Sequence, residues 1–136
     1  EKYDWGKALL ISDLKYDYEI VDVVNDNVKV KSLVINKSHS ISDEDISRAV
    51  SQYTIKDYKD AIGVVVVVES FDKIKEQGTG YITFFDVASK KVIYSHKVIG
   101  EAGGFGFRNY WARAIYNWMK YTKGKVMKDI KKKHKS

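Results

Sequence analysis

Between Gly63 and Glu69 the chain runs through five consecutive valines. β-Branched side chains are stiff about χ1 and crowd the preceding turn of a helix, and a run this short has no helical period. GVVVVVESF is apolar on both faces and therefore predicts a central strand covered from two sides. Its neighbours extend the pattern. Residues 72–79 (DKIKEQGT) are polar with a glycine and read as a loop, and Tyr81–Val87 and Val92–Ile99, joined at Ser89, Lys90 and Lys91, read as two more strands. Together they predict a three-stranded antiparallel meander.

Upstream, Lys7–Asp13 (KALLISD) reads as an opening strand, and Tyr16–Val24 with Val28–Ile35 as a hairpin about Asn25, Asp26 and Asn27, which tolerate a left-handed backbone. Ser42 marks a helix start. Its side chain can accept from the Asp45 backbone, the acids Asp43, Glu44 and Asp45 suit the positive helix end, and Ile46, Ala49, Val50 and Tyr53 follow at helical spacing. A second amphipathic helix is predicted from Trp111, Ala114, Ile115, Trp118 and Met119. Helices are too few to alternate with the strands, so an α+β domain is expected. Its mostly antiparallel sheet has about five to six strands, with the two main helices on one face. Residues 1–122 are assigned to this single domain and 123–136 to a basic C-terminal tail, where Val126, Met127 and Ile130 would continue a helical stripe if a surface were available.

The chain has 136 residues, 44% hydrophobic and 31% charged, which fits one folded domain and argues against wholesale disorder. With no cysteine it has no disulfide framework, thiolate metal site or cysteine nucleophile. The longest apolar stretch, Ala61–Val68, is far below the roughly 20 residues that cross a bilayer as a helix. Charge is concentrated at one end: Lys120–Ser136 holds eight lysines against Asp129, a net of +7, leaving −1 of the formal +6 for everything before it. An electrostatic partner would therefore meet the tail, through Lys125, Lys128, Lys131, Lys132, Lys133 and Lys135.

GEAGGFGFRNYWARAIYNWM, from Gly100 to Met119, admits three readings. Gly104, Phe105, Gly106, Phe107 and Tyr110 match five of the eight positions of an RNA-recognition strand, but Gly103 replaces its basic residue, Arg108 replaces its core valine, and the segment leads into a helix. An anion cradle at Gly104, Gly106 and Arg108 is the second reading, although the spacing fits neither phosphate-binding glycine motif. The third is a connector in which the glycines supply positive φ while Phe105 and Phe107 pack under the sheet and helix edges.

VVVVVESFDK, GYITFFDVASKKVIYSHKVIG and GEAGGFGFRNYWARAIYNWMK together resemble a family of small bacterial cell-envelope proteins of unknown function, over roughly Ala61–Lys120. The resemblance is most specific at Thr83–Asp86 and Gly103–Trp111. It implies a secreted or lipid-anchored product, periplasmic or associated with the outer membrane, whose export signal lies outside these residues. It also implies a fold similar to the N-terminal domain of TolB and to the curli-secretion lipoprotein family, with no assigned catalytic residue.

Catalytic chemistry has little to start from. The three histidines, His39, His96 and His134, fall in a loop, a strand and the tail, without a carboxylate spaced for metal binding, and no nucleophile motif occurs. Glu69, at the end of the valine strand, is the carboxylate that a pocket would make interesting, and a pocket joining Glu69, His96 and Arg108 would point to a small hydrolase. The expectation is a non-enzymatic cell-envelope protein without a cofactor, acting by protein–protein association or self-association. Its partner surface is placed on the sheet side carrying Tyr81, Thr83, Phe85 and Val87. The alternative is a binder of anionic surfaces or nucleic acid through the lysine tail, without sequence specificity. The tryptophan and methionine stripe of the last helix could dip into a membrane but is expected to pack on the sheet, leaving the tail free for peripheral contact with lipid, nucleic acid or an acidic partner.

Overall fold

The computed structural model describes residues 5–9, 40–55 and 60–134, excluding the side chains of 107, 108 and 131–134. The expected hairpin at 16–35, residues 10–13 of the expected opening strand, His39 and Lys135 lie outside the described residues. Residues 7–9 are helical: α1 spans Trp5–Leu9. Ala8 and Leu9 are both buried, and neighbours in sequence can share a buried face on a helix but not on a strand. Leu9 joins a core cluster with Trp118 and Val126 from the end of the chain, so a distant contact decides this conformation.

α2, Asp43–Ser51, begins as its sequence predicts. The Ser42 hydroxyl accepts from Asp45 N at 3.2 Å while the Asp45 carboxylate accepts from Ser42 N at 2.9 Å, a reciprocal cap that satisfies two otherwise orphaned donors. Ile46 and Val50 are buried, and Tyr53, just beyond the helix end, is buried with them.

The sheet is formed by β1 (Ile62–Asp72), β2 (Gln77–Asp86) and β3 (Val92–Glu101) in the order β1-β2-β3, antiparallel throughout. This is the predicted meander. Among the described residues β2 is the central strand and the valine strand β1 flanks it. The loop expected at 72–79 contracts to a turn at 73–76, in which Asp72 Oδ1 accepts from Ile74 N at 2.9 Å and Lys75 N at 3.0 Å. Gln77, Gly78 and Thr79 are strand residues because they find partners on both sides: Gly78 faces Phe71 and Gly100, and Thr79 faces Ser70 and Ile99. Among the described residues there are three strands, against the five to six expected.

Cross-strand partners share a face, which sorts the apolar side chains into two layers. Ile82 and Val98, with Val64, Val66, Phe84 and Tyr94, face α1 and α3, the helix Phe107–Tyr121. Phe85 and Val87, with Val65 and Val92, face Val50 and Tyr53. The two main helices therefore lie on opposite faces, not on one. The reason is visible in β1 and β2, which carry large apolar side chains on both sides and need a cover for each. The same arrangement removes the expected partner surface, since Thr83, Phe85 and Val87 are buried within this chain.

α3 lies close on its sheet face. Ala114 and Trp118 are buried, and Trp118 Nε1 donates to Gly78 O at 2.9 Å. Gly78 and Gly100 are cross-strand partners and make the notch that admits the helix: a Cβ on Gly78 would stand 3.0 Å from Ala114 Cβ, and one on Gly100 would collide with Ala114 O. Beyond Tyr121 the helix widens into one π turn, Thr122–Val126, and resumes as α4, Met127–His134. Thr122 Oγ1 donates to Trp118 O at 2.8 Å, and Val126 is wholly buried, so Leu9 and Trp118 supply the surface that the stripe of Val126, Met127 and Ile130 requires. No helix among the described residues is long and apolar enough to cross a membrane.

Candidate functional site

Glu69 sits at a bulge. The β1–β2 register passes from Val68–Gly80 to Ser70–Thr79, leaving Glu69 as the unpaired extra residue. Its side chain is 4% exposed. Oε2 accepts from Ile41 N at 3.1 Å, and Oε1 accepts from Thr79 Oγ1 at 3.0 Å and pairs with Lys97 Nζ at 3.2 Å. Thr79 Oγ1 also meets Ser70 Oγ at 3.1 Å. Burial pushes the Glu69 carboxyl up, but the donors Ile41 N–H, Lys97 and Thr79 together more than offset it and hold the group below its ordinary range. A recess of about 150 Å³ opens here, lined also by Ser40, Asp72, Lys75 and Gln77.

This geometry is that of a structural anchor. The carboxylate ties the segment entering α2 to the sheet through Ile41 and neutralises itself against Lys97, so both of its oxygens are occupied by the chain. Ile41 N–H takes one position on Oε2, and Thr79 and Lys97 meet Oε1. His96 does not complete a catalytic group, because it faces the other side of the sheet, where Nδ1 lies 3.2 Å from Tyr94 Oη and its ring packs on Tyr121. The grouping of Glu69 with His96 is thereby overturned. Sequence reading singled out Glu69 but missed Thr79 and Lys97, which strand pairing brings to it from 10 and 28 residues away along the chain. Among the described residues no group of three or more His, Asp or Glu is placed to hold a metal ion.

The glycine-rich segment resolves into a loop and a helix start. Gly104 and Gly106 have φ of +103° and +86°, values that favour glycine, and Gly106 caps α3 without any side-chain bond. Ala102 N donates to Glu76 O at 2.8 Å and Gly103 N to Tyr110 O at 3.0 Å, so the loop is pinned to the β1–β2 turn and to the first helical turn. An RNA-recognition strand is excluded by the helix that occupies Phe107–Tyr121. The connector reading holds for the glycines and fails for Phe105, which is 95% exposed, not packed under the sheet. The loop is held by its backbone bonds, so the phenyl ring has no core to enter. The side chain of Arg108 lies outside the described residues, and Gly104 and Gly106 bring no second anion-directed group to the loop.

Of the lysines assigned to an electrostatic partner, Lys125 and Lys128 are exposed beside the buried Val126. Lys131, Lys132 and Lys133 continue along α4, their side chains outside the description.

The exposed large apolar side chains fall into two groups. Ile62, Val68 and Phe71 belong to β1, Ile93 and Ile99 to β3, and none to β2. The remaining two, Ile74 at 96% exposure and Phe105 at 95%, sit in the 73–76 turn and the 102–106 loop. These loops are neighbours: β1 ends at Asp72, opposite Gln77, and Gln77 is opposite Glu101, where β3 ends. Behind them Phe71 packs on Trp111 at 4.9 Å and Tyr110 meets Trp111 edge-on at 4.9 Å. Compared with protein-family models, with curated proteins and with solved structures, the chain matches none.

Proposed function

We propose that this chain is a non-catalytic cell-envelope or secreted domain that works by protein–protein association, the resemblance described above supplying the compartment. One observation carries the association: Ile62, Val68, Ile93 and Ile99, large apolar side chains left exposed, lie on β1 and β3, the outer strands among the described residues, while Ile82, Thr83 and Phe85 of the central strand are buried. Ile93, at 59% exposure, and Ile99 flank the sheet margin along β3, and Ile62 and Val68 do so along β1. Exposed side chains of this size on a sheet margin are what a second copy or a partner covers. The absence of catalysis is supported by Glu69, whose oxygens serve Ile41, Thr79 and Lys97. The wider sheet of five to six strands belongs to the same proposal.

Sedimentation velocity across a hundredfold range of concentration tests the association. The expected result is self-association, or capture of a partner, that Ile93→Lys with Ile99→Lys abolishes while thermal stability is retained. A strict monomer at high concentration that also retains no envelope protein overturns the reading. Fractionation of cells expressing the full-length gene product tests the compartment, and recovery in the cytoplasm sinks it.

A second reading, binding of anionic surfaces or nucleic acid by Lys125, Lys128, Lys131, Lys132, Lys133 and Lys135, is favoured by the burial of Val126, which docks the lysine-bearing helix on the fold. It predicts binding that weakens steeply with salt and is lost when these lysines are replaced by glutamine.

A further inference from the structure

The fold does not require an apolar side chain at Ile74 or at Phe105. The 73–76 turn is closed by Asp72 Oδ1 and by a positive φ at Glu76, and the 102–106 loop by its bonds to Glu76 and Tyr110. Any polar residue would serve these contacts equally and would spare the chain two large apolar groups in water. Both positions nevertheless carry one, and the register of the sheet sets their loops at the same end of the molecule.

From this juxtaposition we infer that the loop end is a membrane-contact tip that inserts Ile74 and Phe105 into the interface of an anionic phospholipid bilayer. Three features favour lipid over a protein partner. The two side chains are isolated and almost fully exposed at loop tips, whereas a protein interface needs roughly 800 Å² of contiguous surface on each side. Ile74 is flanked by the exposed Lys73 and Lys75, placed to meet lipid phosphates as the apolar group enters, and Arg113 is exposed beside Gly103. Exposed Phe71 and half-buried Tyr110 and Trp111 form an aromatic layer just behind the tips, the side-chain type that suits the headgroup level. Asp72, Glu76 and Glu101 at the same end balance Lys73, Lys75 and Arg113, so the apolar groups supply the attachment and the two lysines beside Ile74 orient it locally. Two side chains give weak and reversible contact, of the kind that adds to a second attachment.

The tip shares with the proposed function only the premise that this chain acts by contact. The β3 margin and the tip are separate surfaces, so each fails independently. The test is co-sedimentation of the whole chain with vesicles of phosphatidylcholine containing about one third phosphatidylglycerol. The wild-type chain is expected in the pellet at millimolar lipid. Ile74→Ser with Phe105→Ser is expected to lower the partition coefficient at least about tenfold with thermal stability unchanged, since neither side chain is packed. Phe105→Trp is expected to retain binding and to show blue-shifted emission on vesicles, and Lys125→Gln with Lys128→Gln to leave that shift in place. The inference is overturned if wild-type protein stays in the supernatant, if the double serine variant pellets as well as wild type, or if the tryptophan at 105 remains in a water-like environment. Loss of self-association in the double serine variant with vesicle binding intact also overturns it, by assigning the tip to a protein partner.

Discussion

The closest approach between helix and sheet gives the sharpest quantitative test. Gly100→Ala places a methyl group against the Ala114 carbonyl oxygen and 2.9 Å from Trp118 Cδ1. The first neighbour is helix backbone and cannot rotate aside, so α3 must lift from β3. Overpacking of this kind costs roughly 1–3 kcal/mol, and stretching the Trp118 Nε1 to Gly78 O bond, now 2.9 Å, adds about 1 kcal/mol. Stiffening the unfolded chain returns about 0.5 kcal/mol. A net loss of about 2–3 kcal/mol corresponds to a fall in Tm of about 7–10 °C at this chain length. Gly124→Ala is the internal control: no atom lies within 4 Å of the added Cβ, and replacing an exposed helical glycine should stabilise by about 0.5–1 kcal/mol, raising Tm by about 2–3 °C. The same chemical change thus has opposite signs at two glycines. Calorimetry on both variants decides it, and a Gly100→Ala protein melting within 2 °C of wild type with unchanged tryptophan emission would refute the tight notch. At Gly78 the added Cβ would stand 3.0 Å from Ala114 Cβ and equally close to the Phe71 ring, both side chains and neither helix backbone, so Ala114→Gly should relieve part of Gly78→Ala and do nothing for Gly100→Ala.

Trp118→Phe removes the indole donor to Gly78 O and leaves a small cavity, and denaturant titration should show a loss of about 2 kcal/mol with the m-value unchanged. Ser42→Ala deletes half of the reciprocal cap on α2 and should cost about 1 kcal/mol, whereas Ser42→Asp should retain most of it, both read from urea midpoints. Glu69 has a folded pKa below its unfolded value, so its contribution is full above the unfolded value of about 4.3 and is lost as pH falls through the lower folded value. Glu69→Gln should therefore destabilise by about 1–2 kcal/mol at pH 7, with the gap to wild type closing as pH falls below the unfolded value and through the lower folded one, and a gap that stays constant on acidification would disprove the charged anchor.

Local signals carried the elements whose contacts are local. The valines of β1, the alternation in β2 and β3, the Ser42 cap and the stripe from Trp111 to Met119 all specify their own conformation through χ1 stiffness, period or a bond three residues away. What the sequence hides depends on pairing. Because β1 and β2 are apolar on both sides, their pattern does not say which face each helix takes. The bulge at Glu69 follows from the β1–β2 register, and it is this register that brings Thr79, and then Lys97 from β3, to the carboxylate. α1 is helical because Leu9 finds Trp118 and Val126, more than a hundred residues away. Phe105 looked like a core residue by type, and only the backbone bonds at Ala102 and Gly103 show that its loop stands clear of the core.

Closure of both sheet faces narrows where this chain can touch anything else. A sheet with one bare face would offer a broad apolar surface, and burying it would be the obvious role. Here α3 and α1 take one face and α2 takes the other, with Thr83, Ile82 and Phe85 of the central strand all buried. The apolar surface that remains is peripheral, on the outer strands and at the loop end, and the two have different shapes. The outer strands present side chains on an extended backbone, which suits another polypeptide. The loop end presents two isolated side chains with lysines beside one of them, which suits a fluid surface that closes around each separately. Substitution at Ile93 and Ile99 should therefore change mass in solution and leave vesicle binding alone, and substitution at Ile74 and Phe105 should do the reverse. If one pair of substitutions abolished both behaviours, the separation of the two surfaces would be wrong, and a single contact spanning β3 and the loop end would have to replace it.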